Sequence, residues 1–426
     1  MKKILARIIL DYFRFFARLK LRQHKSATII AVTGSLGKTT TRLALVQILK
    51  SRGIVKHSVH ANSASGISLN ILGLYPHNYS IFDWLRLIIL TPISYFNRDS
   101  HYDYYVVEMG IDSPDSPNNM AYLLSIIRPH VGVVLNASLV HSLNFDRLVK
   151  DQSPVRRLSK LVAFIAEEKL NLARGVRSGG VAVFNLDQKQ FALSRKTIKA
   201  RQLTFGKSAS ADLRILPEHR LSYQGQKYEF NLSTHLTGAI AGACALGIPP
   251  SVSLQALKDF SPPAGRLQIL KGIAHSTILD SSYNASPEAM FDSLKQLHKV
   301  AGSHKKIAVL GDMRELGISE KIAHKNLADW LIKYSDETIL FGPLTAQYTA
   351  PVLESCHFPV RHFKTMLELI KYLRESLPAK SYVLVKGSQN ELYLERAVES
   401  ILSDPQDISK LCRRGPYWDK IRASMI

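Results

Sequence analysis

The stretch that decides the fold is residues 27–53, ATIIAVTGSLGKTTTRLALVQILKSRG. It opens with a short run of β-branched and aliphatic residues, passes through a glycine-containing turn, and continues as a segment typical of a helix. Similar β-rich runs recur at 104–110 (YYVVEMG), 131–136 (VGVVLN) and 181–184 (VAVF), with helical stretches between them. This alternation predicts an α/β domain built on a largely parallel sheet.

A proline-rich junction at 247–266 (GIPPS, then SPPAGR) interrupts the pattern. Beyond it the alternation restarts with STILDSSYN, KIAVLGDM, ETILFG and YVLVKGS, each followed by a helical pattern, which predicts a second α/β domain. The predicted organisation is a basic amphipathic helix over 1–25, a central domain over 26–263, a C-terminal α/β domain over 264–403 and a basic tail over 404–426.

The composition excludes several broad classes of protein. The 426 residues are 46% hydrophobic and 21% charged, which is typical of a globular chain and not of a disordered, collagenous or coiled-coil one. Lys and Arg together number 56 against 34 Asp and Glu, a net charge of +22. Such an excess favours anionic partners: nucleotides, phosphorylated substrates, nucleic acid or an acidic membrane surface. No nucleic-acid recognition motif accompanies the charge, so we expect no nucleic-acid partner.

Neither a membrane span nor a disulfide framework is expected. The longest apolar run, Leu87–Phe96, contains Pro92 and is shorter than the roughly 20 residues that a span requires. The N-terminal segment is interrupted by charges and does not resemble a signal peptide. Cys244, Cys356 and Cys412 are scattered, which fits a reducing cytoplasm. We therefore predict a cytoplasmic location, with attachment at the inner membrane face as an open alternative.

The first 25 residues have helical periodicity with an apolar and a basic face. Two interpretations stay open: a helix docked on the protein body, or an interfacial helix on an anionic membrane surface. The apolar face comprises Ile4, Leu5, Ile8, Ile9, Tyr12, Phe15, Phe16 and Leu19, and the basic face Lys3, Arg7, Arg14 and Arg18. The aromatic and aliphatic segment 77–101 could pack on this helix, cover a nucleotide site or contact a membrane, and we favour the packing.

The strongest motif is the loop after the first predicted strand, Gly34-Ser35-Leu36-Gly37-Lys38-Thr39-Thr40. Glycines let backbone N–H groups converge on a phosphate, and the following helix directs its N-terminal dipole at the anion. Lys38 would neutralise the β- and γ-phosphates, and the Thr39 hydroxyl would take a Mg²⁺ position. Because Val32 stands where the strict P-loop has its first glycine, this is a variant of that loop.

Two further side chains follow neighbouring predicted strands. Glu108 ends the run YYVV, and His141 follows VGVVLNASLV. Ligands of doubly wound sheets bind at the carboxyl ends of the strands, so a carboxylate there would hold Mg²⁺ directly or through water. We predict that Thr39, Glu108 and His141 form the metal site.

Six motifs in this order resemble the Mur ligases, the ATP-dependent amino-acid and peptide ligases of peptidoglycan precursor synthesis. They cover roughly residues 28–403. The matching segments are TGSLGKTTT (33–41), VVEMG with Glu108, NASLVH with His141, LDSSYNASP (279–287), VLGDMRELG (309–317) with His324, and LVKGS (384–388).

The resemblance implies a central ATP-binding P-loop domain and a C-terminal Rossmann-like domain that closes over it. It implies a cytoplasmic ligase that uses ATP and Mg²⁺ to join D-alanyl-D-alanine to a UDP-muramyl-peptide carboxylate through an acyl phosphate. On matching positions it also implies catalytic roles for Lys38, Glu108 and His141, and nucleotide contacts for Arg266, Asp280, Tyr283 and Asn284. Lys169 matches the region in which some members carry a carbamylated lysine that binds a second Mg²⁺; a plain surface lysine is the alternative.

The chain also departs from the family pattern. Only 27 residues precede the first predicted strand, so we expect the N-terminal UDP-sugar domain to be absent or replaced by a partner protein. The family's His-Asn-x-x-Asn segment appears here as His235-Leu236-Thr237-Gly238-Ala239, without either asparagine. Two other functions therefore stay open: a ligase or amidating enzyme that acts on a lipid-linked cell-wall precursor with a partner, and a non-catalytic nucleotide-binding scaffold.

Overall fold

The computed structural model describes residues 2–59, 61–97, 101–139, 142–151, 153–217, 219–229, 236–389 and 391–423. Contacts between Cα atoms divide the chain into two compact units, Met1–Phe260 and Ser261–Ile426. Both units are mixed α/β structures with sheets that are mostly parallel, which confirms the predicted fold class.

The first unit is built on one mixed sheet. Across the described residues it has nine strands in the order β2-β3-β1-β4-β5-β6-β7-β8-β9, parallel as far as β7 and antiparallel beyond it. The strands are β1 Thr28–Thr33, β2 Val55–His57, β3 Tyr104–Glu108, β4 Val131–Val134, β5 Val181–Asn185, β6 Arg201–Gly206, β7 Leu213–Leu216, β8 Arg220–Tyr223 and β9 Gln226–Glu229. The helices are α1 Lys2–Gln23, α2 Lys38–Leu49, α3 Ala64–Ile71, α4 Ile81–Phe96, α5 Met120–Ile126, α6 Pro154–Arg174, α7 Lys189–Ser194, α8 Thr237–Ala245 and α9 Pro250–Ala256.

Strand β1 lies in the middle of the parallel part and is buried on both faces. Ile29 and Ala31 belong to the core under α3, α5 and α6, whereas Ile30 and Val32 belong to the core under α2 and α8. This two-sided burial explains why the strand is a continuous apolar run and not an alternating one. It also places the loop after β1 between the carboxyl ends of β3 and β4.

The second unit contains a smaller sheet. Its order across the described residues is β10-β11-β15-β12-β13-β14, with β10 antiparallel to β11 and the other pairs parallel. The strands are β10 Gln268–Lys271, β11 Thr277–Asp280, β12 Lys306–Gly311, β13 Glu337–Phe341, β14 Val360–Phe363 and β15 Tyr382–Lys386. The helices are α10 Pro287–Ala301, α11 Glu320–Tyr334, α12 Ala350–Ser355, α13 Met366–Ser376, α14 Glu395–Ser400 and α15 Pro416–Ala423.

The predicted N-terminal helix is present as α1, but only part of its apolar face is docked. Phe13 and Ala17 are fully buried, and Phe13 packs with Leu69 of α3 and Leu87 of α4. In contrast, Phe15, which was predicted on the apolar face, is 58% exposed. Helix α1 therefore docks on the protein body through one side of its apolar face, and the interfacial interpretation stays a prediction for the exposed side.

Helix α4 comes from the segment 77–101 and packs on α1, as predicted for that segment. The Tyr12 hydroxyl donates to the Ile88 carbonyl oxygen at 3.0 Å. The fully buried Lys20 ammonium donates to the carbonyl oxygens of Ser94, at 2.9 Å, and of Asn97. These acceptors lie in the last turn of α4, where a cation also interacts favourably with the helix dipole. Among the described residues, no helix is long and apolar enough to cross a membrane.

The docking of α1 predicts different outcomes for two phenylalanines two residues apart. Phe13→Ala leaves a cavity at a fully buried site, so we expect it to lower the free energy of unfolding by about 3–5 kcal/mol. The matched change Phe15→Ala, at an exposed site on the same helix, should stay within about 0.5 kcal/mol of the parent chain. Urea unfolding followed by circular dichroism measures both, and equal losses would contradict the docking geometry.

Candidate functional site

The loop that joins β1 to α2 has the geometry of an anion-binding turn. Gly37 takes a left-handed conformation, with φ of 81°, immediately before the first turn of α2. Gly34 lies so close to the end of β4 that a Cβ atom on it would be 2.9 Å from the Cβ atom of Leu135. Both positions therefore require glycine, and α2 begins at Lys38 directly after the loop.

The loop is held by the residues that follow β4. The Leu36 N–H donates to Asn136 Oδ1 at 2.8 Å, and Asn136 Nδ2 donates to the Leu36 carbonyl oxygen at 3.2 Å. The backbone N–H of Ser35 donates to the Asn136 carbonyl oxygen at 3.0 Å. The Ser35 hydroxyl both accepts from the Ser138 N–H, at 2.9 Å, and donates to the Ser138 carbonyl oxygen, at 3.3 Å. Sequence analysis noted this segment for His141 and missed that Asn136 and Ser138 position the loop.

Two predicted site residues lie at the start of α2. The Lys38 ammonium donates to the carbonyl oxygens of Gly34 and Ser35, at 2.8 and 3.2 Å, so its charge lies over the loop. The Thr39 hydroxyl donates to Glu108 Oε2 at 2.9 Å. Thr40 follows on the same turn and is partly exposed.

Glu108 ends β3, directly beside Val32 of β1, and is largely buried. Its carboxylate lies 3.7 Å from Nε of Arg42, which is buried on the second turn of α2. The ion pair compensates for the desolvation of the buried charges.

Arg42 also contacts His57, since its NH1 lies 2.6 Å from Nδ1 of that ring. Burial is the largest cause that lowers the pKa of His57, and the positive charge of Arg42 is the second. Since a guanidinium only donates, His57 accepts through Nδ1 and stays neutral. Sequence analysis missed both Arg42 and His57.

Lys169 lies on α6 with its side chain buried, so the alternative of a plain surface lysine is wrong. Burial, and secondly the positive charge of Lys38, lower the pKa of Lys169 to about 7; Asp112 and Glu168 act in the opposite direction. Near neutral pH a substantial fraction of this amine is unprotonated and nucleophilic.

Two histidines of the sequence prediction, His141 and His235, lie outside the described residues. The predicted metal site is therefore described here only at Thr39 and Glu108. No group of three or more His, Cys, Asp or Glu side chains that could hold a metal occurs among the residues that the structure describes. A hydroxyl beside a carboxylate nevertheless fits Mg²⁺, which often takes one or two protein oxygens and completes its shell with phosphate and water.

The second unit gathers the other predicted residues at the carboxyl ends of β11 and β15. Asp280 is fully buried, its Oδ1 accepts from the Ser282 N–H at 3.0 Å, and burial raises its pKa. The Arg266 guanidinium lies 4.3 Å from the centre of the Tyr283 ring, a cation–π contact. Asn284 Oδ1 accepts from the Ala285 N–H at 2.8 Å, which fixes the turn after Tyr283.

Lys386, the last residue of β15, is a buried cation beside this group. Its ammonium donates to Ser281 Oγ at 3.0 Å and to the Asn284 carbonyl oxygen at 2.9 Å. Burial, and then the charge of Arg266, lower the pKa of Lys386 to about 7, against the attraction of Asp280 and Asp292. The LVKGS segment was noted in the sequence, but this role of its lysine was missed.

Arg413, in the segment predicted as a basic tail, reaches the same loop. Its NH1 donates to Oε2 of the fully buried Glu395 at 2.6 Å, and its NH2 donates to the Tyr283 carbonyl oxygen at 2.5 Å. The guanidinium lies 5.4 Å from the Tyr283 ring centre. Nothing in the local sequence distinguishes Arg413 from its basic neighbours, so only the fold identifies it.

His324 has a structural role in the second unit. Nε2 of this fully buried ring accepts from the Met313 N–H at 3.0 Å, and Nδ1 donates to the Glu320 carbonyl oxygen at 2.8 Å. Burial lowers the pKa of His324, so the ring is neutral in this tautomer. The histidine therefore holds the GDMREL turn in place.

The comparisons with known proteins are consistent with this geometry. Residues 265–389 match the profile of the Mur ligase, glutamate ligase domain. The UDP-N-acetylmuramoyl-tripeptide–D-alanyl-D-alanine ligase of Buchnera aphidicola subsp. Baizongia pistaciae is 24% identical over 404 residues, which are 90% of this chain and 77% of that protein. The enzyme of that name from Bacillus subtilis is also 24% identical, over 90% of this chain and 78% of its own length.

A solved structure shares the fold. MurF ligase of Thermotoga maritima in complex with ADP superposes with a TM-score of 0.71 and 24% sequence identity, over 92% of this chain and 83% of that one. The similarity extends across both units of the chain.

The depressed pKa of Lys386 makes the stability of the protein depend on pH. Above about pH 7 the folded state has released this proton, whereas the unfolded chain keeps it up to the ordinary pKa of 10.5. The unfolded state then binds more protons, so stability from this residue increases with pH across that range. We expect Lys386→Met to lower the slope of unfolding free energy against pH by up to about 1.4 kcal/mol per unit between pH 7 and 10. Urea titrations at several pH values measure this slope. Lys371→Met, at an exposed lysine, is the control. An unchanged slope in Lys386→Met would contradict the burial of the Lys386 ammonium.

The buried ion pair of Arg413 predicts a strong asymmetry between single and double changes. Arg413→Ala leaves the Glu395 carboxylate buried without its cation, and we expect a loss of about 3–5 kcal/mol. Replacing both partners by methionine should cost less than the single change. The neighbouring Arg414→Ala, whose pair with Glu399 is partly exposed, should cost less than about 1 kcal/mol. Chemical unfolding distinguishes these cases, and equal costs for Arg413→Ala and Arg414→Ala would refute the assignment.

Proposed function

We propose that the chain is a Mur ligase and acts as an ATP-dependent peptide ligase of peptidoglycan precursor synthesis. Its proposed reaction joins D-alanyl-D-alanine to the terminal carboxylate of a UDP-muramyl-tripeptide, the activity for which the Buchnera and Bacillus relatives are named. The product is an amide, formed with hydrolysis of ATP to ADP and phosphate.

The observation that carries the proposal is the contact between the phosphate loop and Glu108. The Thr39 hydroxyl, at the start of α2, donates to Glu108 Oε2, at the end of β3, over 2.9 Å. The Lys38 ammonium lies over the loop, where it donates to the Gly34 carbonyl oxygen. A cation, a hydroxyl and a carboxylate at the N-terminus of a helix are the groups that binding of a nucleoside triphosphate requires.

The reaction has two steps. A carboxylate oxygen of the muramyl peptide attacks the γ-phosphorus of ATP, the bond to the bridging oxygen breaks, and ADP leaves. The unprotonated amine of D-alanyl-D-alanine then attacks the acyl carbon, and inorganic phosphate leaves with the electrons of the carbon–oxygen bond. The nitrogen releases one proton to the departing phosphate or to water as the amide forms. Lys38 and the N–H groups at the start of α2 stabilise the charge on the transferred phosphoryl group. Fixing both substrates in line supplies much of the rate.

In this proposal Thr39 and Glu108 hold Mg²⁺, with His141 as a further predicted ligand. When bound, the ion supplies neutralising charge to the phosphates. Lys169 is the proposed site of carbamylation, and its lowered pKa supports this because CO₂ reacts with the unprotonated amine. Arg266, Asp280, Tyr283 and Asn284 are proposed to contact nucleotide.

We place the proposed reaction in the cytoplasm, where ATP and UDP-linked precursors occur. We also predict a protein partner that contacts the UDP-sugar. The exposed apolar surface of α1 and α4 favours one second candidate, a ligase that acts on a lipid-linked precursor. Supplying UDP-linked and lipid-linked muramyl peptides in parallel distinguishes the two substrates.

The proposal predicts phosphate release that depends on both substrates. Purified protein with ATP and Mg²⁺ should release phosphate only when UDP-muramyl-tripeptide and D-alanyl-D-alanine are both present. Lys38→Ala should reduce the rate by at least about a hundredfold, because the charge on the phosphoryl group is then less stabilised. Lys50→Ala, the exposed lysine after the other end of α2, is the matched control and should retain the parental rate.

Each other outcome assigns a different function. Release with only the lipid-linked substrate would replace the nucleotide-linked one in the proposal. ATP binding without release under any of these conditions would favour the non-catalytic scaffold. A parental rate in Lys38→Ala would refute the role of the phosphate loop.

A further inference from the structure

Helix α4 exposes an apolar stripe along its whole length. Its members recur every three or four residues, the spacing that places side chains on one helix face. They are Phe82, 83% exposed, Leu85, 49%, Ile89, 64%, Ile93, 50%, and Phe96, 78%. A stripe of five large apolar side chains is unusual for a surface in contact with water.

Helix α1 adds a second apolar stripe beside the first. Ile4, Leu5, Ile8 and Phe15 are each between 58% and 67% exposed. The two helices run in the same direction, since Phe13 contacts Trp84 near the start of α4 and Gln23 donates to the Tyr95 carbonyl oxygen near its end. At about 100° per residue, the exposed stripe of α1 lies about a quarter turn from its contacts with α4, and the stripe of α4 lies more than about a third of a turn from its contacts with α1. The two rotations have opposite senses, which turns both stripes toward the same side of the helix pair. We call these nine residues the α1/α4 face.

The exposed charges that flank this face are positive. Arg18 and Arg22 are exposed on α1, along the edge of its apolar stripe. The nearby acidic groups are paired: Asp11 with Arg7 and Arg14, and the buried Asp83 with Arg86. Asp83 also accepts from the backbone N–H groups of His77, Asn78 and Tyr79, and these hydrogen bonds hold its pKa well below the ordinary range.

We propose that the α1/α4 face docks on a lipid bilayer that contains anionic headgroups. An apolar helix face edged by arginines is the composition of helices that lie in the membrane interface, with the apolar side chains at the acyl boundary and the cations at the headgroups. The pair lies on the bilayer and does not cross it, in agreement with the absence of a spanning helix among the described residues. A second copy of the chain fits less well, because a symmetric pair would bring the arginine edges together and the chain already carries a charge of +22.

Docking of the whole chain on vesicles tests the proposal without any ligase activity, so its failure is separate from failure of the proposed function. The protein is sedimented with vesicles of phosphatidylcholine alone and of phosphatidylcholine mixed with phosphatidylglycerol. We expect binding to the mixed vesicles that weakens with added salt. The double change Phe82→Asp with Ile89→Asp should weaken binding about tenfold or more, and Arg18→Glu with Arg22→Glu should remove the preference for anionic vesicles.

Matched variants keep the test specific. Leu367→Asp places one aspartate at another exposed apolar position, on α13. Lys364→Glu with Lys371→Glu reverses two exposed positive charges elsewhere, as the arginine variant does on α1. Both controls should bind as the parent does, and all variants should keep the parental unfolding midpoint. Absence of binding to mixed vesicles, or an equal loss in the controls, would overturn the proposal. A second result would also overturn it: a dimer in gel filtration, dissociated by Phe82→Asp with Ile89→Asp, from a protein that binds no vesicles. The α1/α4 face would then be covered by a second copy of the chain.

Discussion

The first unit depends on how the loop after β1 is held between two neighbouring strands. A turn that exposes its backbone N–H groups to an anion cannot satisfy them internally, so other bonds must fix its shape. Asn136 supplies these bonds through a reciprocal pair with Leu36, and Ser35 and Ser138 add a second pair. The order β3-β1-β4 makes this arrangement possible, because it places the ends of two other strands beside the turn. The conformation of the site is thus a consequence of sheet order as much as of the glycines.

Both candidate groups contain buried cations whose desolvation must be compensated by neighbouring groups. An ion pair with Glu108 compensates Arg42, and an ion pair with Glu395 compensates Arg413. Lys169 and Lys386 are compensated less completely, and each responds with a pKa lowered to about 7. Burying a charge costs several kcal/mol unless it is paired or neutralised, so natural cores rarely retain one without a reason. Lysines with perturbed pKa values tend to occur at functional sites, and Lys386 lies beside the turn that carries Tyr283.

The extent to which sequence predicts the structure differs between elements for physical reasons. Long apolar runs such as TIIAVT and KIAVLG are strands because they are buried on both faces, and these were predicted. The hairpin of β8 and β9 was missed because both strands are short and partly exposed; Gln224 and Gly225, both with positive φ, form its two-residue turn. The motif residues Lys38, Thr39 and Glu108 were found through their spacing to strands. Arg42, His57 and Arg413 were not, because their partners are distant in sequence and only the fold brings them together.

Helix α1 is synthesised before α4, the helix that covers one of its sides. Helix α1 ends at Gln23, whereas the partner that covers one side of it ends only at Phe96. At roughly 5–20 residues per second, a ribosome needs on the order of several seconds to make the residues between them. During that interval the nascent chain presents a basic helix whose apolar sides, including Phe13, have no cover. A chaperone or an acidic lipid surface that reaches the ribosome in this interval meets α1 before α4 has been made.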